Sequence, residues 1–483
     1  MSLHDYGNRR VKTAYDRLPA ALQDAAATAY GLRHRSQAHG DYYRSYARLL
    51  SVTEKMSHEE LSLRQLERVR TMLRHAGEFS PFWRARFETA GWDADDFDSL
   101  SQLRKLPLLE KEDVHAAGSG IQSRDFLGKK KAVVAAHTSG TSGKALHLYL
   151  SRECYEREYA FLDQHRLWGG IRPSDRRATF AGHPVVPTNL MRPPYWRYNR
   201  AERQLLFSSQ HLGPATALEY AGALRDFAPL LIHGYPSSLF VMASLLLQRD
   251  DRSIRPRAVY THSETLLETQ RAAIEAAFGC RVYNWYGNTE EVGNIVECPA
   301  GRMHVRLEHS FLEFLRPDGT EAGPGDVAEI VGTGFGNLAT PLIRYRLGDS
   351  VVLAADDDCS CGRSGPMVES VVGRVEDIFV TPDGRYVGRL DHVFKDSVNV
   401  IEAQLVQETL GDVRVRVVPR PSFSESDWTE IERLLRLRLG DRVRLHREEL
   451  DQIPRAANGK FRFAVSAVPA FVRPGAPGSD RSA

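Results

Sequence analysis

Polar and helix-spaced apolar positions dominate the first eighty residues. In 57-SHEELSLRQLERVRTMLRHAG-77 the apolar side chains recur at helical spacing, Ser57 is a candidate N-cap, and Gly77 is a candidate stop. Residues 1–80 therefore predict a helical scaffold. From about 130 to 370 the pattern changes. Short apolar runs such as 229-PLLIHGY-235, 256-PRAVYTH-262 and 326-DVAEIVGTG-334 alternate with helical stretches such as 238-SLFVMASLLLQR-249. That alternation predicts an α/β core whose sheets are covered by helices. Further on, 378-IFVTPDGRYV-387 predicts a hairpin and 427-DWTEIERLLRLRLG-440 an amphipathic helix. The last dozen residues, VRPGAPGSDRSA, are rich in Pro, Gly and Ser and predict disorder. No internal repeat is visible.

Composition narrows the function classes. A chain of 483 residues can bury a large domain and a small one. Its 64 basic and 62 acidic residues leave a net charge of +2, too balanced for a nucleic-acid-binding stripe. Local Arg-rich patches can still meet an anionic substrate. There is no apolar run of about eighteen residues and no signal-peptide-like hydrophobic region in MSLHDYGNRRVK, so we expect a cytoplasmic protein without a membrane partner.

The segment 138-TSGTSGK-144 carries the first chemical signal. Thr138, Ser139, Thr141 and Ser142 offer hydroxyls, Gly140 and Gly143 let the backbone approach an anion, and Lys144 offsets charge. This suits phosphate oxygens. A Walker loop requires a Gly where Thr138 stands and Ser or Thr where Ala145 stands, which disfavours a P-loop phosphotransferase. A flexible Ser/Gly linker is the plain alternative. The flanks argue against it, because 132-AVVAAH-137 and 146-LHLYLS-151 both read as strands and would mount the loop on a hairpin.

A hairpin-mounted loop of this kind resembles the nucleotide loop of the adenylate-forming superfamily, which includes acyl- and aryl-CoA synthetases, luciferases and adenylation domains. Four further stretches resemble its motifs in the same order: 286-YGNTEE-291, 344-RYRLGD-349, 373-GRVED-377 and 454-PRAANGKFR-462. The resemblance implies that Tyr286 stacks on adenine, Thr289 touches a phosphate and Glu290 holds Mg²⁺ through carboxylate oxygen. It implies that Asp349 accepts the ribose hydroxyls, Arg374 lies near the ribose or phosphate, Asp377 is a hinge, and Lys460 stabilises charge as acyl-adenylate forms. Ser263, Glu264 and Gly287 fall in the same motifs and join the nucleotide set. The lead-in 105-KLPLLEKEDV-114, the stretch 263-SETL-266 and 359-CSCGRSGP-366 resemble the phenylacetate–coenzyme A ligase branch with its CapK-like members.

From this follow a large N-terminal core (1–376, with 1–80 as helical lead-in), a smaller mobile α+β domain (377–470) and a disordered tail (471–483). The implied activity is ATP-dependent conversion of a carboxylic acid to acyl-AMP with release of pyrophosphate, then transfer to coenzyme A, an amine or a carrier-protein thiol. A nucleotide or acyl sensor on the same fold is the non-catalytic alternative, disfavoured by Lys460. His183, Tyr235, Ser263 and Trp285 fall near positions that line the acyl pocket in relatives and suit an aromatic acid. The Pro-rich 193-PPYW-196 reads equally as a substrate loop or as a crossing whose aromatics are core. Of the five cysteines, Cys154 and Cys280 read as isolated buried thiols. Cys298, His304, Cys359 and Cys361 form a donor set for a closed, structural Zn²⁺ site, unligated thiols being the alternative.

Overall fold

The computed structural model describes residues 14–138, 146–181, 185–187, 190–213, 215–374, 379–382, 386–387, 390–394, 397, 399–455 and 461–468. Four helices lead in: α1 (Ala20–Ala38), α2 (Asp41–Thr53), α3 (His58–Phe79) and α4 (Pro81–Ala90). The predicted cap is present. Ser57 Oγ accepts from the Glu60 N–H at 3.2 Å while the Glu60 carboxylate accepts from the Ser57 N–H at 2.8 Å, a reciprocal capping box. The expected stop at Gly77 is corrected: α3 runs to Phe79, and Ser80-Pro81 ends it, because the residue before Pro is pushed out of helical geometry. Gly77 instead lies against the Phe87 ring.

A short helix α5 (Lys111–Ala117) precedes a two-stranded hairpin, β1 (Val133–His137) with β2 (His147–Ser151). Helix α6 (Arg152–Trp168) follows, its first turn closed by Ser151 Oγ accepting from the Cys154 N–H. The chain then builds one twelve-stranded sheet. Its strands are β3 (Arg177–Ala181), β4 (Trp196–Asn199), β5 (Gln204–Ser208), β6 (Leu231–Gly234), β7 (Ala258–His262), β8 (Val282–Gly287), β9 (Asn294–Glu297), β10 (Met303–Val305), β11 (Ser310–Leu315), β12 (Val327–Gly334), β13 (Tyr345–Leu353) and β14 (Met367–Arg374). Their order is β11-β12-β13-β14-β10-β9-β8-β7-β6-β3-β5-β4. Strands β5, β3, β6, β7 and β8 run parallel, the outer ones antiparallel.

Helices α7 (Ala217–Phe227), α8 (Pro236–Leu247) and α9 (Glu268–Phe278) bury one face of the parallel strands around Phe180, Phe207, Ile232, Val259 and Phe278. Strand β4 is the edge, which is where a strand that follows Pro193-Pro194 is tolerated. Tyr195 and Trp196 pack into the same cluster, Tyr195 stacking on Tyr220 at 6.0 Å, so the aromatics of that stretch are core.

The C-terminal region has its own core. Strands β15 (Phe379–Val380) and β16 (Tyr386–Val387) form the expected hairpin. Strands β17 (Val400–Thr409), β18 (Asp412–Pro419), β19 (Arg444–Glu449) and β20 (Ala464–Ser466) form a sheet in the order β19-β18-β17-β20, covered by α10 (Glu425–Leu439). Leu405, Val415, Ile431 and Leu435 fill the space between them. Among the described residues no helix is long and apolar enough to cross a membrane.

Candidate functional site

The described site residues lie mostly at the carboxyl ends of β7 and β8 and on β13 of the same sheet. Ser139–Lys144, His183, Asp377 and Lys460 lie outside the described residues, as does the side chain of Arg374. Thr138 sits where the hairpin narrows. It pairs with Leu146 through its N–H at 3.1 Å, and its Oγ1 accepts from the Leu146 N–H at 2.9 Å, which extends the β1–β2 pairing by one residue on each side.

The two motifs assigned to the nucleoside meet directly. Tyr286 Oη donates to Asp349 Oδ2 at 2.8 Å, across 63 residues of sequence. Asn294 Nδ2 donates to the Tyr286 carbonyl at 3.1 Å and holds the strand end in place. Register pairs Asp349 with Arg374 on the neighbouring strand. Gly287 has no room for a side chain, since a Cβ there would meet Trp285 Nε1 at 2.7 Å. Thr289 and Glu290 lie half-buried in the turn between β8 and β9.

Glu264 has a role that the motif did not reveal. Its carboxylate accepts from the Ser237 N–H and Oγ, each at 3.1 Å, and from the Phe461 N–H at 2.9 Å. Phe461 directly follows Lys460 and packs with Leu267, Val418 and Ile453. One carboxylate thus ties the backbone at Phe461 to the core. Burial raises the Glu264 pKa, and the three donors hold it down in opposition.

The acyl-pocket candidates are joined by a residue that no motif names. His262 Nδ1 lies 2.9 Å from Ser263 Oγ, its ring centroid is 5.8 Å from that of Tyr235, and it stands opposite Trp285 in the β7–β8 register. Ser263 has φ +69°, an uncommon conformation for a residue with a side chain. Trp285 is 9% exposed and also packs in a cluster with Tyr46, Leu50 and Phe161.

Beside Glu290, a second buried group was equally silent in the sequence. His309 Nε2 lies 3.1 Å from Glu158 Oε2 and 3.4 Å from Glu291 Oε2, and Arg157 donates to the His309 carbonyl at 2.9 Å. Burial, then repulsion from Glu158, raises the Glu291 pKa to about 7. Two carboxylates beside a guanidinium and an imidazole form a network that can balance its own charge.

The sulfur ligand set does come together. Cys298 Sγ is 3.6 Å from Cys359 Sγ, Cys361 Sγ is 3.4 Å from His304 Nε2, and all four donor atoms lie within 4.8 Å of one another. A tetrahedron with bonds of about 2.3 Å has edges of about 3.8 Å. Burial, then Arg363, Arg306 and Arg302, lowers the His304 pKa to about 4, which keeps the imidazole in its neutral, ligating form. Cys154 is buried as expected, while Cys280 is half-buried.

Comparison with known proteins follows the same line. Residues 379–467 match the family model described as the CapK C-terminal domain. Protein CapK of Staphylococcus aureus is 26% identical over 376 residues, 76% of this chain and 81% of CapK. The phenylacetate–coenzyme A ligase of Escherichia coli K12 is 26% identical over 348 residues, 68% of this chain and 75% of that enzyme. The chain is a homologue of CapK and of the phenylacetate–coenzyme A ligases. Its fold is that of the adenylate-forming ligases. A 2-hydroxyisobutyryl-CoA ligase in its postadenylation state superimposes with a TM-score of 0.68 at 19% identity, over 86% of this chain and 91% of that one. This CapK homologue therefore carries the Tyr286 and Asp349 motifs on interior strands of a ligase fold.

Proposed function

We propose that this CapK homologue activates a carboxylic acid with ATP as acyl-AMP, releasing pyrophosphate, and passes the acyl group to coenzyme A. A carboxylate is a poor acyl donor because its leaving group would be oxide. Adenylation supplies a better one. The single observation that carries the reading is the Tyr286–Asp349 hydrogen bond at 2.8 Å, which brings two motifs distant in sequence into direct contact. In this reading Tyr286 stacks on adenine, and Asp349 accepts the ribose hydroxyls. Thr138 to Lys144 receive the departing phosphates at the mouth of the hairpin. Glu290 holds Mg²⁺, and Thr289 donates to a phosphate. Lys460 offsets charge at the α-phosphate during attack.

The tie between Glu264 and Phe461 supports a Lys460 segment held against the core during adenylation. Release of that tie, with rotation of residues 377–470 about Asp377, lets the acceptor approach. Tyr235, Ser263, Trp285 and His183 line the acyl side, which suits an aromatic acid, as the phenylacetate ligases among the relatives suggest.

Cys298, His304, Cys359 and Cys361 fit a structural Zn²⁺ in this reading. Two of their donor separations, 3.6 and 3.4 Å, are close to those of a tetrahedral site, and four protein ligands leave no position for water. The metal fastens the loop 354–366 to β10 and takes no part in the reaction.

Acid-dependent exchange of labelled pyrophosphate into ATP tests the reaction. Lys460→Ala should slow exchange by roughly two orders of magnitude, as loss of a transition-state charge stabiliser does, and spare transfer from supplied acyl-AMP. Equal loss in both half-reactions would remove Lys460 from adenylation. Offering coenzyme A, an amine and a carrier-protein thiol in turn identifies the acceptor. Elemental analysis of protein purified without added metal should find about one zinc per chain. Zinc-free protein with three readily alkylated thiols would exclude the metal.

A further inference from the structure

A chamber of about 790 Å³ lies behind the candidate acyl site, and no motif encodes it. Its floor is one face of the parallel strands, set with Thr179, Gln204 and His233. Its roof is α1 and α6. The α1 helix is fastened to the edge strand by Asp24, which accepts from the Tyr198 N–H at 2.9 Å, and by Gln23, which accepts from Arg197 Nε at 2.6 Å.

The chamber is cationic. Arg35, Arg166, Arg172, Arg177, Arg197 and Arg203 line it, against the two carboxylates Asp163 and Glu202. Both carboxylates are already engaged. Glu202 binds Arg177 and lies 2.5 Å from His34 Nδ1, while Asp163 accepts from Tyr43 Oη at 3.0 Å and Arg166 Nη1 at 3.1 Å and faces His39. Donors are left over. Nε of Arg166 and Nε of Arg177 are buried with no hydrogen-bond partner among the described residues, and Arg166 as a whole is only 9% exposed. Those two atoms are sealed from the chamber, but the lining as a whole sets six guanidinium groups against two carboxylates that are already paired, a positive excess that an anion in the chamber would offset. Burial also pulls the Arg177 pKa below its ordinary value, with Glu202 only partly offsetting it. An anion would offset the rest. The chamber meets the acyl candidates at His262, which lines it and also contacts Ser263 and Tyr235.

We propose that the acid activated here carries a second anionic group, a carboxylate or a phosphate ester, which the chamber seats against Arg166 and Arg177. This rests on the acyl-AMP reading of the site. The second anion lies remote from the reacting carboxylate and supplies binding and selectivity. Helix α1 becomes a wall of the substrate site as well as scaffold.

Matched acids test it by direct titration calorimetry on the full chain without ATP: 4-carboxyphenylacetate against phenylacetate, adipate against hexanoate, and 4-phosphonooxyphenylacetate against 4-hydroxyphenylacetate. We expect at least one dianionic member to bind roughly tenfold or more tightly than its partner, in line with charge-assisted hydrogen bonds. Arg166→Gln and Arg177→Gln should each remove most of that preference and leave ATP affinity unchanged. Arg177→Lys, which keeps the charge opposite Glu202, should retain fold and part of the preference. Equal binding within every pair, no binding by any acid, or a preference that survives both Gln substitutions would overturn the proposal. Pyrophosphate exchange with the same acids reports separately on the reaction. Binding with the expected preference but no exchange would sink the ligase reading and leave the chamber standing, whereas exchange without preference would sink the chamber alone.

Discussion

The two faces of the parallel strands are built from alternating residues of the same segments, yet they are chemically opposite. On one face Phe180, Phe207, Ile232 and Val259 pack under α7, α8 and α9 in a continuous apolar layer. On the other, Arg177, Thr179, Gln204, His233 and His262 line an open chamber under α1 and α6. Successive side chains of a strand point to opposite faces, so the contrast is written at single-residue spacing. Parallel strands covered on both sides usually carry near-continuous apolar runs. A polar second face gives up packing, and the hydrogen bonds among Gln204, Thr179 and His233, at 2.7 and 2.6 Å, offset part of that loss. The first face is packing throughout, whereas the second divides between a buried cluster of Leu231, Ala258, Tyr260 and Tyr283 and the polar chamber beside it.

Phe180→Ala should sharpen that division most. It removes a fully buried ring stacked on Phe207 at 4.6 Å and should cost about 3–5 kcal/mol in denaturant unfolding, with exchange activity per folded molecule preserved. A loss of activity without loss of stability would reverse the assignment of that face.

The next effect is electrostatic. His165 lies under the polar side against Tyr260 and Trp285, and burial lowers its pKa from the ordinary 6.5 to about 3. Its neutral form is the folded form. The stability it contributes is complete above pH 6.5 and is lost as pH falls from 6.5 towards 3, on the order of 2 kcal/mol by pH 5. His165→Gln should flatten that limb of a stability–pH profile, and an unchanged slope would show that His165 is accessible to protons in the folded protein.

Thr179→Val keeps the shape and deletes the hydroxyl that joins His233 to Gln204. We expect about 1–2 kcal/mol of destabilisation and a larger fractional change in acid affinity than in ATP affinity. A smaller effect separates two neighbours on β5. Leu205 is buried on the apolar face, whereas Leu206 lines the chamber and is half-buried. Leu205→Ala should cost at least about 2 kcal/mol and Leu206→Ala less than about 1 kcal/mol, because a side chain facing a cavity has few packing partners to lose. Equal costs would mean that the chamber closes in solution.

Much of this organisation is written locally. The cap at Ser57, the β1–β2 hairpin, the alternation of strands and helices, and the short segments around Tyr286 and Asp349 depend on residues a few positions apart, where backbone preference and side-chain period act directly. The C-terminal hairpin and α10 are legible for the same reason. Tertiary structure decided what those segments share. Only folding carries Phe461 to Glu264 across 197 residues, joins Ser263 to Trp285 through His262, and gathers three sulfurs and an imidazole within 4.8 Å. The chamber is the extreme case. Arg35, Arg166, Arg177 and Arg203 are scattered along the chain, and nothing in their spacing relates them. They become a site because α1 and α6 close over a sheet face whose residues alternate with the core, and that closure depends on long-range packing, which no local period records.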